Sequence, residues 1–146
     1  MSALAGLRKY ADAKYEERAK EGASEQLEDL KIYLRKEELQ NMIGEGLFRK
    51  LLKLFAGRRC DEIVVRRCQA HGKLINFHTD ESAKTLQVSL NDDCEYEGGR
   101  LMYATRGKLE VPKRNLGTVT VHDNRIVHGV TLFESGVRYG LFFLQK

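Results

Sequence analysis

Residues 73–91, KLINFHTDESAKTLQVSLN, decide the fold because they join two strand-like segments through a polar turn. In the second segment Leu86, Val88 and Leu90 alternate with polar residues, and a period of two is typical of a β-strand with one buried face. The polar row consists of Thr85, Gln87, Ser89 and Asn91. This row faces either water or a wet ligand cavity. The pattern alone slightly favours water, but the motifs elsewhere in the chain, described below, reverse this preference.

The first segment of this stretch carries a histidine two residues before an aspartate. Alternation places Asn76, His78 and Asp80 on one side of the strand and Phe77 on the other. A His-x-Asp pair at a strand end is more often an ordinary polar pair than a metal site. Residues elsewhere in the chain therefore have to decide between the two interpretations.

Segments with the same period of two fill the chain from residue 60 onward. The eight predicted strands are EIVVRRCQ (62–69), KLINFHTD (73–80), KTLQVSLN (84–91), GGRLMYAT (98–105), KLEVPK (108–113), GTVTVHD (117–123), IVHGVTLF (126–133) and VRYGLFFL (137–144). Turn-forming residues separate them, among them Ser135-Gly136 before the last segment. Eight short strands without an intervening helix predict the two facing sheets of a jelly roll, also called a double-stranded β-helix.

The first 56 residues show helical spacing instead. The apolar residues that recur near a period of 3.6 are Leu4, Leu7, Tyr10, Ala11, Tyr15, and then Leu27, Leu30 and Leu34. We predict helices there, with Ser24 as the N-cap of the second, a break at Gly44-Glu45-Gly46, and a third helix that ends at Gly57. The predicted class is α+β, with one domain (1–146) in which a helical support region (1–57) packs on a jelly-roll catalytic core (60–146).

The composition is that of an ordinary globular chain and argues against several classes of protein. The net charge is +4 with no block of like charge, so nucleic-acid binding is weakly supported. Three cysteines without CxxC spacing fit reduced thiols in the cytoplasm or nucleus better than disulfides. We find no signal-peptide pattern and no run of about 20 apolar residues, and we therefore expect neither secretion nor a membrane partner.

Two residues far along the chain favour a metal site at the His-x-Asp pair. His128 follows Asp80 by 48 positions, far enough for several strands to intervene, and Arg138 follows His128 by ten. Two imidazoles and one carboxylate form the facial triad that holds Fe(II) and leaves coordination positions open. Arg138 heads an otherwise apolar row, where a buried guanidinium would need an anionic partner such as a ligand carboxylate. The alternative is that Arg138 lies at the rim and pairs with a surface acid.

Taken together, these motifs resemble the iron(II)- and 2-oxoglutarate-dependent dioxygenases, particularly the prolyl 4-hydroxylase-like branch. The resemblance runs from about Glu62 to the end, on the motifs His78-Thr79-Asp80, LQVSLND with EGGRLMYAT, His128-Gly129-Val130 and Arg138-Tyr139-Gly140. It implies that His78, Asp80 and His128 bind Fe(II) and that Arg138 grips the distal carboxylate of 2-oxoglutarate. The implied reaction hydroxylates a C–H bond of a protein side chain (prolyl-type) or of a small molecule, consumes 2-oxoglutarate and O₂, yields succinate and CO₂, and uses ascorbate as a reductant.

The resemblance also implies further contacts to the cosubstrate. Leu101 matches an apolar wall of its pocket, and Cys68 falls near a first-strand position that contacts it. Many relatives have a hydroxyl residue two positions after the arginine, where this chain has glycine. The corresponding hydrogen bond has to come from another side chain, for which the candidates are Ser89, Tyr103 and Thr120.

Three alternatives stay open. A cupin-like binding module or a pseudoenzyme would use the pocket without turnover. The presence of His78, Asp80, His128 and Arg138 together argues against this alternative, because a non-catalytic protein need not keep all four. A nucleic-acid demethylase of the same superfamily would typically carry a second arginine six residues after the first, where this chain has Leu144. His122, beside Asp123, is either a near-site residue, or even an alternative ligand, or a structural or exposed strand-end residue, and we favour the last.

Overall fold

The computed structural model describes residues 2–22, 27–56 and 59–146. In chain order the elements are α1 (Ala3–Lys20), β1 (Asp29–Leu34), α2 (Lys36–Ile43), α3 (Glu45–Phe55), β2 (Glu62–Gln69), β3 (Ile75–His78), β4 (Lys84–Ser89), a 3-10 turn (Asp93–Glu95), β5 (Tyr96–Gly98), β6 (Leu101–Thr105), β7 (Lys108–Glu110), β8 (Val119–Asp123), β9 (Val127–Val130) and β10 (Phe133–Gln145). The strands form two antiparallel sheets: a major sheet of order β1-β2-β10-β4-β8, in which β5 also pairs with β10, and a minor sheet of order β3-β9-β6-β7. This arrangement confirms the predicted α+β jelly roll.

Alternation along the strands of the major sheet separates its two faces. On β4 and β10 the side chains of Leu86, Leu141 and Phe143 are fully buried and belong to the core that the helices cover. The ring of Phe143 lies 6.3 Å from that of Phe48 and 6.1 Å from that of Phe55, both on α3. The opposite face of the same strands lines a cavity. The polar row of β4 therefore faces a cavity and not bulk water, as the surrounding motifs suggested.

A helix cap and one partly buried ionic contact help to position the helices. The Ser2 hydroxyl accepts a hydrogen bond from the amide of Ala5 and starts α1. Farther along α1, Asp12 accepts from Arg67 at 2.8 Å and from the Tyr139 hydroxyl at 2.7 Å, which ties the helix to two strands of the major sheet. Among the described helices, none is long and apolar enough to cross a membrane.

The prediction that the first 57 residues are helical is wrong for residues 29–34. That segment is β1, an edge strand paired with β2 over its whole length. Leu30, Ile32 and Leu34 are buried while the residues between them are exposed, so the segment has the period of two of a half-buried strand. The helical pattern was found by counting Leu27, Leu30 and Leu34 and passing over Ile32.

Two predicted boundaries also differ. Ser135-Gly136 is not a turn between strands but an irregular point inside β10, where the pairing shifts register and Gly136 has φ of +89°. β10 thereby pairs first with β5 and then with β2 and β4. The short strand β5 was not predicted. The predicted N-cap Ser24 and the predicted helix end at Gly57 lie outside the described residues.

Candidate active site

Two residues close together in the sequence, His78 and Asp80, meet the distant His128 at the mouth of the cavity. His78 ends β3, Asp80 follows it, and His128 on β9 is the register partner of His78. One ligand atom from each residue lies within 4.8 Å of the other two. Nε2 of His128 is 3.2 Å and Nε2 of His78 is 3.6 Å from Oδ1 of Asp80. The donor set, two imidazoles and a carboxylate, fits the facial triad of a non-haem Fe(II) site.

Hydrogen bonds set the tautomer of both histidines. Nδ1 of His78 lies 2.8 Å from the carbonyl oxygen of Asn76, and Nδ1 of His128 lies 3.1 Å from that of Ile126. A carbonyl oxygen can only accept, so each Nδ1 carries the proton and each Nε2 keeps its lone pair. Both lone pairs thus belong to the nitrogens that approach Asp80. Such outer hydrogen bonds orient metal-binding histidines and raise their basicity.

The second oxygen of the Asp80 carboxylate is held by two donors. Oδ2 accepts from the Thr85 hydroxyl at 2.8 Å and from Nε2 of His122 at 2.8 Å. The hydrogen bond from His122, with a smaller contribution from Thr85, holds the pKa of Asp80 far below its ordinary value, so the group is a carboxylate. With Oδ2 occupied, Oδ1 is the oxygen that faces the two Nε2 atoms.

His122 is not an exposed strand-end residue. Its side chain is 6% exposed, and the Tyr103 hydroxyl lies 3.4 Å from its Nδ1. It is a structural residue of the site, since it orients Asp80 through the other ring nitrogen. The register pairs His122 on β8 with Thr85 on β4, which places both donors beside Asp80. The sequence alone does not show that β8 pairs with β4, so it could not place His122 beside Asp80.

The triad opens into a cavity of about 350 Å³ between the two sheets. Its walls include Ile75, Leu101 and Val130 from the minor sheet, and Val64, Arg66, Thr85, Gln87, Arg138, Phe142 and Leu144 from the major sheet. This volume is in the range of small-molecule pockets, and the mixture of apolar walls and few polar groups is typical of them. The predicted wall residue Leu101 is buried and lines the cavity.

Arg138 lies inside this cavity and not at the rim. Its Nη1 donates to the carbonyl oxygen of Gly99. Burial lowers the pKa of Arg138, and repulsion by Arg66 lowers it further. Within the described residues no carboxylate forms an ion pair with Arg138, whereas Arg66 has a bidentate partner in Asp29. Arg138 is thus a partly buried cation without an ion-pair partner among those residues.

The other predicted cosubstrate residues are only partly at the cavity. Ser89 and Cys68 lie beside Arg138, in a small chamber next to the main cavity, and the Ser89 hydroxyl donates to the carbonyl of Asn91 at 2.7 Å. Neither Tyr103 nor Thr120 is among the residues that line the main cavity or this chamber. Their predicted contact with the cosubstrate stays a prediction, as do the metal and cosubstrate roles of the other residues.

Comparison with known proteins rests on structure. Neither a family model nor a curated protein matches this sequence. An oxidoreductase of the 2OG-Fe(II) oxygenase family from Burkholderia pseudomallei is 17% identical with a TM-score of 0.59, over 80% of this chain and 65% of that chain. A prolyl-4-hydroxylase from Pseudomonas putida is 17% identical with a TM-score of 0.59, over 100% and 90%. A prolyl hydroxylase from Trichoplax adhaerens, in complex with a hypoxia inducible factor oxygen degradation domain peptide fragment, is 14% identical with a TM-score of 0.63, over 80% and 61%.

The chain therefore spans slightly less than two thirds of the Burkholderia and Trichoplax chains. At these identities the similarity establishes the fold. At the level of the fold it confirms the resemblance to the iron(II)- and 2-oxoglutarate-dependent dioxygenases that the sequence motifs indicated. The chain has the fold of the 2OG-Fe(II) oxygenases, prolyl hydroxylases among them.

Proposed function

We propose that the protein is an Fe(II)- and 2-oxoglutarate-dependent dioxygenase that hydroxylates a C–H bond. One observation carries the proposal: two Nε2 lone pairs and one carboxylate oxygen converge at the mouth of a cavity that also holds a partly buried guanidinium without an ion-pair partner among the described residues. A metal ion would bind the two lone pairs and the carboxylate oxygen. An anionic ligand would balance the charge of the guanidinium. A ligand that satisfies both must have a metal-binding end and an anionic end, as a keto dicarboxylic acid does.

His78, Asp80 and His128 would hold the iron. Their tautomers and orientation are set by hydrogen bonds within the chain, so little rearrangement is needed to bind a metal. Iron bound there would supply the oxidation itself, in which O₂ and 2-oxoglutarate are consumed, succinate and CO₂ are formed, and one C–H bond becomes C–OH. The chain supplies the geometry and the charge for this chemistry.

Arg138 would bind the distal carboxylate of 2-oxoglutarate through a paired, charge-assisted hydrogen bond. Leu101 and Val130 would pack against the carbon chain of the cosubstrate from the minor sheet and exclude water from it. Because the guanidinium is held by the Gly99 carbonyl, it cannot swing out to follow a shorter ligand without losing that bond. Arg138 therefore acts as a binding and orienting residue.

The substrate we propose is a protein side chain, of the prolyl type, or a small molecule. The support is the open mouth of the cavity, where the His78 side chain is 41% exposed and Lys31 and Tyr33 of the edge strand β1 form one side. The Trichoplax prolyl hydroxylase with its bound peptide is consistent with a polypeptide substrate. Leu144, where a demethylase would carry its second arginine, is part of the cavity wall. Ascorbate, predicted as a reductant, has no support from any described residue.

The proposal is tested by succinate release from 2-oxoglutarate with Fe(II) and O₂ in the absence of substrate. We expect slow uncoupled turnover by the wild-type chain and none by His78→Ala or Asp80→Ala, with both variants still folded by circular dichroism. Arg138→Ala should raise the 2-oxoglutarate concentration needed for half-maximal turnover. His71→Ala, which removes a histidine outside the triad, is the matched control and should leave turnover unchanged. Wild-type turnover that persists in Asp80→Ala would rule out this ligand set, and metal binding without any turnover would favour the pseudoenzyme or binding module.

A further inference from the structure

A second, much smaller cavity adjoins the inner end of the main one. It has a volume of about 10 Å³, about the space of one water molecule. Arg66, Gln87, Arg138 and Phe142 line both cavities, and the residues that complete the small one are Cys68, Ser89, Arg114, Tyr139 and Gly140. We call this space the inner chamber. A ligand that reaches Arg138 from the main cavity would present its terminal atoms to the inner chamber.

Arg114 brings a second guanidinium to the inner chamber. It lies between β7 and β8, and its backbone amide donates to Asp93 at 3.1 Å, which holds the loop in place. The residue is only 4% exposed. The one hydrogen bond of its side chain within the described residues is a long one, 3.4 Å from Nη1 to the Thr120 hydroxyl. No carboxylate of the described residues forms an ion pair with the Arg114 side chain.

Arg114, which is buried, and Arg138, which is partly buried, are thus two cations without an ion-pair partner in the described part of the chain. Burial lowers the pKa of Arg114, and it lowers the pKa of Arg138 together with repulsion from Arg66 and Arg114. Arg66 is balanced by Asp29, so the uncompensated charge comes from the other two. Buried charges of like sign are costly unless an anion accompanies them.

The surroundings add an unused hydrogen-bond donor, while the carboxylate found there, that of Asp93, is already engaged by Arg100 at 3.4 Å and by the Arg114 amide. The Tyr96 hydroxyl is buried and has no hydrogen-bond partner within the described part of the chain. Burial raises the pKa of Tyr96, while the nearby positive charges of Arg138, Arg100 and Arg114 act in the opposite direction. Tyr96 lines neither cavity, so its hydroxyl does not reach a ligand there, and the anion-binding groups of the chamber are the two guanidinium groups.

We propose that Arg114 is a second anion-binding residue, which together with Arg138 holds the terminal carboxylate of a dicarboxylic ligand at the inner chamber. The inference rests on the proposed function and deepens it, because it names the feature that selects the cosubstrate. One carboxylate oxygen fills the chamber and accepts from both guanidinium groups, and the chamber has no room for a larger group. A monocarboxylic 2-oxo acid would reach the metal but would leave both arginines without an anion. Arg114 therefore makes the pocket specific for dicarboxylates.

The test is binding of succinate to the metal-free full-length chain in a chelator, because succinate has the terminal carboxylate but needs no metal. We expect succinate to raise the melting temperature in a concentration-dependent way, and propionate at the same ionic strength to do so much less. Arg114→Gln should raise the Kd for succinate roughly tenfold or more, as loss of a charge-assisted hydrogen bond does. Arg125→Gln is the matched control, because Arg125 is an exposed arginine that pairs with Asp123, and its Kd should equal that of the wild type.

The outcomes separate this inference from the proposed function. If Arg138→Gln loses succinate while Arg114→Gln binds it as tightly as the wild type, the role of Arg114 is wrong and the proposed function stands. If the wild type binds neither succinate nor 2-oxoglutarate, with or without Fe(II), both fail. Should Arg114→Gln not fold, Arg114→Lys replaces it: weaker binding of succinate supports the inference, because lysine does not reproduce the geometry of a guanidinium contact, and wild-type affinity overturns it.

Discussion

The two sheets of the jelly roll differ in how they are supported. The inner strands of the major sheet bury one face completely under three helices, with Leu86, Leu141 and Phe143 inaccessible to solvent. No described helix packs extensively against the minor sheet. The edge strands of this sheet, β3 and β7, are largely exposed. Yet two of the three triad residues, His78 and His128, come from the minor sheet. The sheet that stabilises the fold and the sheet that carries most of the metal site are therefore different.

The site itself joins the two sheets. Asp80 lies on the connection from β3 of the minor sheet to β4 of the major sheet, and it is oriented by His122 and Thr85 of the major sheet. Arg138 and the inner chamber belong to the major sheet as well. Under the proposed function, the heavily packed sheet would hold the anionic end of the cosubstrate and orient Asp80, while the minor sheet would add the two imidazoles at an open edge.

The largest expected effect comes from the core of the major sheet. Phe143→Ala should lower the free energy of unfolding by about 3–5 kcal/mol, because it removes a fully buried ring between Phe48 and Phe55. Urea denaturation measures this directly. Leu109→Ala on β7 of the minor sheet is the control; the side chain is 64% exposed, and we expect a change within about 0.5 kcal/mol. Equal losses in the two variants would mean that the sheets do not differ in this way.

The next effect concerns the contact by which the major sheet orients Asp80. His122→Ala should weaken metal binding roughly 10- to 100-fold, as loss of an outer hydrogen-bond partner of a metal ligand does. A titration with Co(II), followed by its visible absorption, measures the affinity. His122→Gln can still present an N–H to Oδ2 of Asp80 and should recover part of the metal affinity. Unchanged affinity in His122→Ala would show that the minor sheet and its loop align the ligands without help.

The smallest of these effects lies at the edge of the major sheet, where Asp29 of β1 pairs with Arg66 of β2 through two bonds of 2.6 and 2.7 Å. Burial alone would raise the pKa of Asp29, but the hydrogen bonds and charge of Arg66 outweigh it and the pKa is lowered. A lowered pKa means that the pair stabilises the fold above the ordinary pKa of 3.8 and loses this contribution as the pH falls below it. Asp29→Asn should therefore cost about 1–2 kcal/mol at pH 7 and less near pH 3, measured by denaturation at both pH values. A loss that is the same at both would exclude the ionic origin.

The sequence was sufficient for most of the sheet framework because alternation of apolar and polar residues follows directly from strand geometry. The segments that contain β2, β4, β6, β8 and β10 were predicted from it. β1 was assigned to a helix because three leucines at intervals of three and four matched the helical period, although Ile32 between them completes a period of two. The irregularity at Gly136 was taken for a turn because glycine permits positive φ in either situation. Local pattern alone does not separate a bend within a strand from the end of one.

For the site, the sequence by itself determined which residue types are present and on which face of its own strand each one lies, and this was enough to single out His78, Asp80, His128 and Arg138. Only the tertiary structure decided which strands are neighbours. That pairing brings His122 and Thr85 to Asp80, and loop packing brings Arg114 to the chamber beside Arg138. The physical reason is that a side chain's direction is set by its own backbone, whereas its partners depend on long-range strand pairing, which a period of two leaves undetermined.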